Sequence, residues 1–142
     1  MLPKWHALIG FVCLIILYSL GVPLFYSAIV FLASVSIDVD HYLFYVRKTG
    51  ETSLKKAYRW HILLGRKHKP IMHLFHTLEF HLLILALSFF HPIFFFVLVG
   101  MLIHSFLDIF QMIADKELNT REHILIRYLL TKSKNPKKYL NH

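Results

Sequence analysis

The sequence predicts an all-α polytopic membrane protein, a four-helix transmembrane bundle built from two hairpins, and three observations support this fold class. Hydrophobic residues make up 56% of the 142 residues and aromatic residues 15%, which is more apolar than an ordinary soluble domain. These residues fall into four long apolar runs. Every lysine and arginine lies outside those runs. Because the composition does not change along the chain, we predict one membrane-embedded domain over residues 1–142.

The four apolar runs give the predicted membrane spans. The first run follows Lys4 and has no convincing Ala-x-Ala cleavage site after it, which favours a membrane helix over a signal peptide. Turns at 21–23 and 91–92 separate the helices of each hairpin. The second run is long enough to cross a bilayer only if the polar residues at 38–41 lie inside the helix. The predicted spans are about 5–20, 24–46, 71–90 and 93–113.

The distribution of lysine and arginine predicts the orientation, because cytoplasmic flanks of membrane helices carry an excess of these residues. They lie before the first run, in the connection 47–70 and in the tail 114–142, whereas the two short turns have none. We therefore expect an inner (plasma) membrane protein of prokaryotic type with both termini in the cytoplasm. The net charge of +8 is expected to favour anionic lipid headgroups of the bilayer rather than nucleic acid.

Two helices are predicted outside the spans. In the basic connection, Thr52 or Ser53 can cap a short cytoplasmic helix that runs to Leu64 along the membrane interface. In the tail, Asn119 and Glu122 resemble a capping pair that begins an amphipathic C-terminal helix.

Ionisable residues inside the apolar runs are the candidate functional residues, because a charge at the bilayer centre costs at least about 2.5 kcal/mol and must face a partner or a cavity. Carboxylates beside imidazoles suit zinc, manganese or iron. We predict one or two divalent metal ions, with zinc the first choice. Glu79 and His76 are also the candidate catalytic bases. The predicted metal ligands are Asp38, Asp40, His41, His73, His76, Glu79, His104 and Asp108.

Helical spacing tests these candidates. His104 and Asp108 are four residues apart and share one helix face. Asp38 and Asp40 point roughly 200° apart in a regular helix, so both can bind one site only if the helix breaks there. His81 lies deeper in the predicted span and off the face shared by His73, His76 and Glu79, so its role stays undecided. Five other histidines are expected to be ordinary polar groups, namely His6, His61, His91, His123 and His142.

Two strings in the sequence resemble motifs of a known family. Ile37-Asp38-Val39-Asp40-His41 is similar to its Asp-x-Asp-His motif, and Gly100-Met101-Leu102-Ile103-His104, followed by Asp108, is similar to its Gly-x-x-x-His-x-x-x-Asp motif. The family consists of uncharacterised inner-membrane proteins described as membrane-bound metal-dependent hydrolases. The resemblance covers about residues 36–111, and it implies metal-binding roles for Asp38, Asp40, His41, His104 and Asp108.

The middle motif of that family, His-Arg-Gly-x-x-His, is matched less well. His68-Lys69-Pro70-Ile71-Met72-His73 keeps the histidine spacing, but lysine replaces the arginine and proline the glycine. Depth in the bilayer favours His76 with Glu79 for this part, with His73 as a further ligand.

Three functions are compatible with these residues. The resemblance implies a metal-dependent hydrolase, and the surrounding basic residues favour a phosphoester or lipid headgroup at the cytoplasmic leaflet as substrate. The same residues could instead form a relay in a metal or proton carrier. A non-enzymatic membrane protein could use the Asp/His cluster only to hold its helices together.

Overall fold

The computed structural model describes residues 3–64, 71–115 and 121–135, and these are mostly helical, as predicted. A 3-10 turn covers Leu74–His76. The helices and strands are α1 Pro3–Ser19, α2 Leu24–Ser36, α3 Val39–Thr49, α4 Leu54–Leu64, β1 Ile71–Met72, α5 Leu78–Ser88, α6 Pro92–Ala114, β2 Arg121–Glu122 and α7 Leu125–Lys134.

Within the described residues, two helical stretches are long and apolar enough to cross a membrane, which is fewer than the four predicted. They are Leu24–Thr49, with 26 residues, and Pro92–Ala114, with 23. The other two apolar helices, α1 and α5, are shorter. At about 1.5 Å per residue, the 11 residues of α5 reach only about half of the hydrocarbon thickness.

The prediction of one continuous helix over 71–90 is wrong. Ile71–Met72 is a strand that pairs in parallel with Arg121–Glu122. Thr77 then has an extended backbone, and its side chain accepts a hydrogen bond from the N–H of Phe80 at the start of α5. The run is predominantly apolar, but its α-helix begins only at Leu78.

The second apolar run contains the helix break that the two aspartates require. α2 ends at Ser36, a turn covers Ile37 and Asp38, and α3 begins at Val39. Asp38 therefore precedes the first turn of α3, and Asp40 lies within that turn.

α2 packs against both α1 and α6, and small residues permit the close approach. A Cβ on Gly100 of α6 would overlap the carbonyl oxygen of Val30 and lie 2.8 Å from the Cβ of Ala33. A Cβ on Gly10 of α1 would overlap the hydroxyl of Ser34. Glycine at position 100 thus brings the backbones of α2 and α6 together one helical turn before His104.

The two predicted helices outside the spans are present. The hydroxyl of Ser53 accepts a hydrogen bond from the N–H of Lys56, so the predicted cap of α4 is confirmed. The predicted capping pair of α7 is not confirmed, because Glu122 lies in β2 and Asn119 falls outside the described residues. α7 begins instead at Leu125.

Candidate metal centre

Four potential ligand atoms meet at one end of the bundle, and we call their side chains the central cluster. The Nε2 atoms of His76 and His104 lie 3.2 Å apart. His104 Nε2 lies 3.4 Å from Asp38 Oδ1 and 3.6 Å from Asp108 Oδ2. His76 Nε2 lies 3.8 Å from each of the same two oxygens.

These separations suit four ligands of a single metal ion. In a tetrahedral site with bonds of about 2.0–2.2 Å, neighbouring ligand atoms are roughly 3.3–3.6 Å apart. Five of the six separations among these four atoms run from 3.2 to 3.8 Å and so span that range. His76, His104 and Asp108 are buried, whereas the side chain of Asp38 is 22% exposed. The cluster is therefore internal, with one accessible edge at Asp38.

The second ring nitrogen of each histidine in the central cluster has a partner that fixes the tautomer. His104 Nδ1 lies 2.7 Å from the backbone oxygen of Ser34. Because a carbonyl oxygen only accepts, Nδ1 carries the proton, and a neutral ring then directs the Nε2 lone pair into the cluster. His76 Nδ1 lies 3.1 Å from Asp40 Oδ2, which also accepts the N–H of Phe75. A carboxylate or carbonyl behind each histidine is typical of metal-binding histidines.

Local sequence explains how these side chains come together. Gly100, His104 and Asp108 recur every four residues on one face of α6, so the close approach at Gly100 brings the other two against α2. The break before Val39 lets Asp38 and Asp40 act at the same site. The 3-10 turn ends at His76 and places its ring against Asp40 and His104.

A second group of polar side chains adjoins the central cluster. Asp40 Oδ1 lies 3.6 Å from His73 Nδ1, and the rings of His41 and His73 are 3.7 Å apart. His41 Nε2 lies 3.5 Å from Asp38 Oδ1. Besides the central cluster, three further combinations in the described residues lie close enough to hold a metal ion: His6, His104 and Asp108; Asp38, His41 and His76; and Asp40, His41 and His73.

Of the eight predicted ligands, seven come together, and Glu79 does not. Its two carboxylate oxygens accept the backbone N–H groups of Leu125 and Ile126, at 2.8 and 3.0 Å. Glu79 therefore caps the first turn of α7, where a carboxylate is favoured by the exposed N–H groups of the helix. Its predicted roles as ligand and catalytic base do not fit this position. His81 is also separate, since its ring bonds the carbonyl of Thr77 and the hydroxyl of Ser105.

His6 is the residue that the sequence interpretation missed. It is 2% exposed, its Nε2 lies 3.2 Å from Asp108 Oδ1, and its ring stacks on that of His104. His61 was also expected to be an ordinary polar group, and its Nε2 lies 2.9 Å from the backbone oxygen of His41. The sequence signal for His6 was depth, because the predicted orientation places the start of the first apolar run at the level of the other candidates.

Comparisons with protein-family models, with curated proteins and with solved structures find no match to this chain. The resemblance to the hydrolase family therefore stays a prediction.

Proposed function

We propose that this chain is a membrane-bound metal-dependent hydrolase whose metal site is the central cluster. The observation that supports the metal most directly is the convergence of two imidazole and two carboxylate atoms at 3.2–3.8 Å. Zinc is the preferred ion, since it favours four-coordinate sites of nitrogen and oxygen ligands, and manganese or iron are the alternatives.

The exposed surface of the bundle supports the membrane part of the proposal. Phe106 and Phe110 on α6 are 71% and 64% exposed, and Leu32 on α2 is 58% exposed. Only 22% of the most apolar window of α6 is buried, whereas a core helix of a soluble protein would be mostly buried. Large apolar side chains exposed in this way are stable in lipid and costly in water.

The hydrolase part rests on chemistry. A divalent ion would supply Lewis acidity toward a phosphoryl or carbonyl oxygen. The chain would orient the ligands through Ser34 and Asp40 and would exclude water from the buried side. Substrate would approach at Asp38 and His41, whose side chains are each 22% exposed. With Glu79 committed to α7 and His76 directed into the cluster, His41 is the better placed group to take a proton.

Charge near the accessible edge favours an anionic substrate. Arg47 and Lys48 occupy the last turn of α3, one to two turns beyond His41, and both are exposed. Phosphate groups of lipids at the cytoplasmic leaflet would meet these side chains before reaching the cluster. A phosphoester of a lipid headgroup is therefore the proposed substrate class.

The test is elemental analysis of detergent-purified protein together with a phosphoesterase assay. Wild type should carry metal, and an Asp38→Ala, His104→Ala double variant should lose both metal and turnover. His81→Phe is the matched control, because His81 is a partly buried histidine outside the cluster. Metal-free wild type after reconstitution with zinc or manganese would reject the site, and full turnover by the metal-free double variant would reject the hydrolase.

The carrier hypothesis is less well supported. A relay needs ligands across the bilayer, but the central cluster and the three further combinations in the described residues share or adjoin the same side chains. Metal flux into proteoliposomes that stops in the His104→Ala variant would reverse this preference.

A further inference from the structure

We infer that His6 is a ligand of a second metal ion, which shares the carboxylate of Asp108 with the ion of the central cluster. The inference rests on the metal site proposed above and extends it to two ions. His6 belongs to neither of the motifs that the sequence interpretation recognised.

The first observation is that His6 is buried without hydrogen bonds. Its side chain is 2% exposed, and both Nδ1 and Nε2 lack a hydrogen-bond partner of acceptable geometry. A neutral imidazole always has one N–H donor and one lone pair, and leaving both unsatisfied in the interior is costly. A cation at Nε2 would use the lone pair and would compensate the neighbouring carboxylate.

The second observation is the position of Asp108 between two histidines. Its Oδ1 atom lies 3.2 Å from His6 Nε2, and its Oδ2 atom lies 3.6 Å from His104 Nε2. Each carboxylate oxygen therefore faces a different ring, at a separation suited to two ligands of one ion. Carboxylates that bind a different ion with each oxygen are the bridging groups in sites with two metals.

The third observation favours separate ions over a single ion shared by His6 and His104, although these two histidines and Asp108 lie close enough to hold one ion. The rings of His6 and His104 are stacked, with centroids 3.9 Å apart and planes 18° from parallel. A nitrogen lone pair lies in the plane of its ring, so the lone pairs of two stacked rings run side by side and do not converge at bonding distance. Two ions bound by stacked rings would be about as far apart as the rings, and sites with two metals have spacings of about 3.5–4 Å.

An alternative role for His6 is to donate a hydrogen bond to Asp108 and only position that carboxylate. The two roles differ in the number of ions, which can be counted. Replacing His6 by phenylalanine keeps an aromatic ring stacked on His104 and removes both nitrogens, so His6→Phe separates metal binding from packing.

The experiment is to count bound Zn²⁺ in purified protein and to record electron paramagnetic resonance spectra after loading with Mn²⁺. Wild type and the control His81→Phe should bind two equivalents and give the spectrum of a coupled manganese pair. His6→Phe should bind one equivalent and give an isolated-ion spectrum. His6→Asn provides a smaller replacement if the phenylalanine variant is poorly folded, as judged by gel filtration and circular dichroism.

The other outcomes each decide a different question. One equivalent in wild type, or two in a folded His6→Phe variant, would overturn the second ion and leave the central cluster intact. Loss of both equivalents in a folded variant would show that His6 serves the first ion, against the inference. No metal in wild type would refute the proposed function itself.

Discussion

Replacing Gly100 by alanine should weaken metal binding without touching a ligand. The new Cβ would overlap the carbonyl oxygen of Val30 and lie 2.8 Å from Ala33 Cβ, whereas ordinary Cβ contacts begin at 3.4 Å. α6 must therefore move away from α2 by at least about 0.6 Å, because the obstructing atoms belong to backbone or to a Cβ and have no rotamer to change.

That movement acts on the hydrogen bond one turn further along α6. The distance from His104 Nδ1 to the Ser34 carbonyl is 2.7 Å and would lengthen to about 3.3 Å, beyond the usual 2.7–3.2 Å. Loss of a partner behind a metal-binding histidine typically lowers metal affinity about 10- to 100-fold. Overpacking should also destabilise the fold by about 1–3 kcal/mol.

The assay is a titration of Zn²⁺ against a chromophoric chelator, with thermal unfolding measured in the same detergent. Gly10→Ala is the matched control, because its Cβ would meet the hydroxyl of Ser34, which can rotate while the Ser34 carbonyl stays in place. The control should retain wild-type affinity. Wild-type affinity in Gly100→Ala would refute the link between helix approach and the orientation of His104.

Three further predictions follow from the described contacts. Asp40→Asn keeps an acceptor for His76 but removes its charge, so zinc affinity should fall about 10- to 100-fold in the same titration, and an unchanged affinity would contradict the supporting role. Glu79→Gln leaves one good acceptor for two N–H donors, so the amides of Leu125 and Ile126 should exchange hydrogen faster while the metal content stays constant. Loss of metal in this variant would show that Glu79 is a ligand after all. Hydrogen bonds from Lys56 and Tyr45 lower the pKa of Glu51, so the contact that Glu51 makes between α3 and α4 is present at neutral pH and is lost only as pH falls through that lowered pKa. The fluorescence of Trp60 in a Trp5→Phe background should report the loss of this contact. A transition above the ordinary pKa range of glutamate would contradict the prediction.

The sequence predicted those parts of the fold that depend on neighbouring residues. The spacing of Gly100, His104 and Asp108 places them on one face of any regular helix. Their position at one site could therefore be predicted from the spacing alone. Ser53 caps α4 by accepting a hydrogen bond from the N–H of Lys56, only three residues further along the chain. The need for a break between Asp38 and Asp40 followed from helical geometry, because only a break lets both carboxylates face one site.

Contacts between distant segments could not be predicted in the same way. Hydropathy measures how apolar residues 71–90 are, and it does not distinguish a helix from a short strand that pairs with residue 121. Glu79 looked like a ligand because it is a carboxylate near histidines in sequence. Its partners are two N–H groups more than 40 residues away, which become visible only once α7 is placed.

The charges of the cluster bear on whether it binds a metal or is a group of hydrogen bonds that holds the helices together. The Nδ1 protons of His76 and His104 are committed to Asp40 and Ser34, so at most one further proton fits between their Nε2 atoms, which are 3.2 Å apart. Asp38, Asp40 and Asp108 each form ion pairs with histidines. Any further proton would have to be carried by a neighbouring histidine, namely His6, His41 or His73, each of which adjoins one of these carboxylates. A divalent ion would supply two charges at the same place and would accept both lone pairs at once, so we expect a metal rather than a shared proton in the cluster.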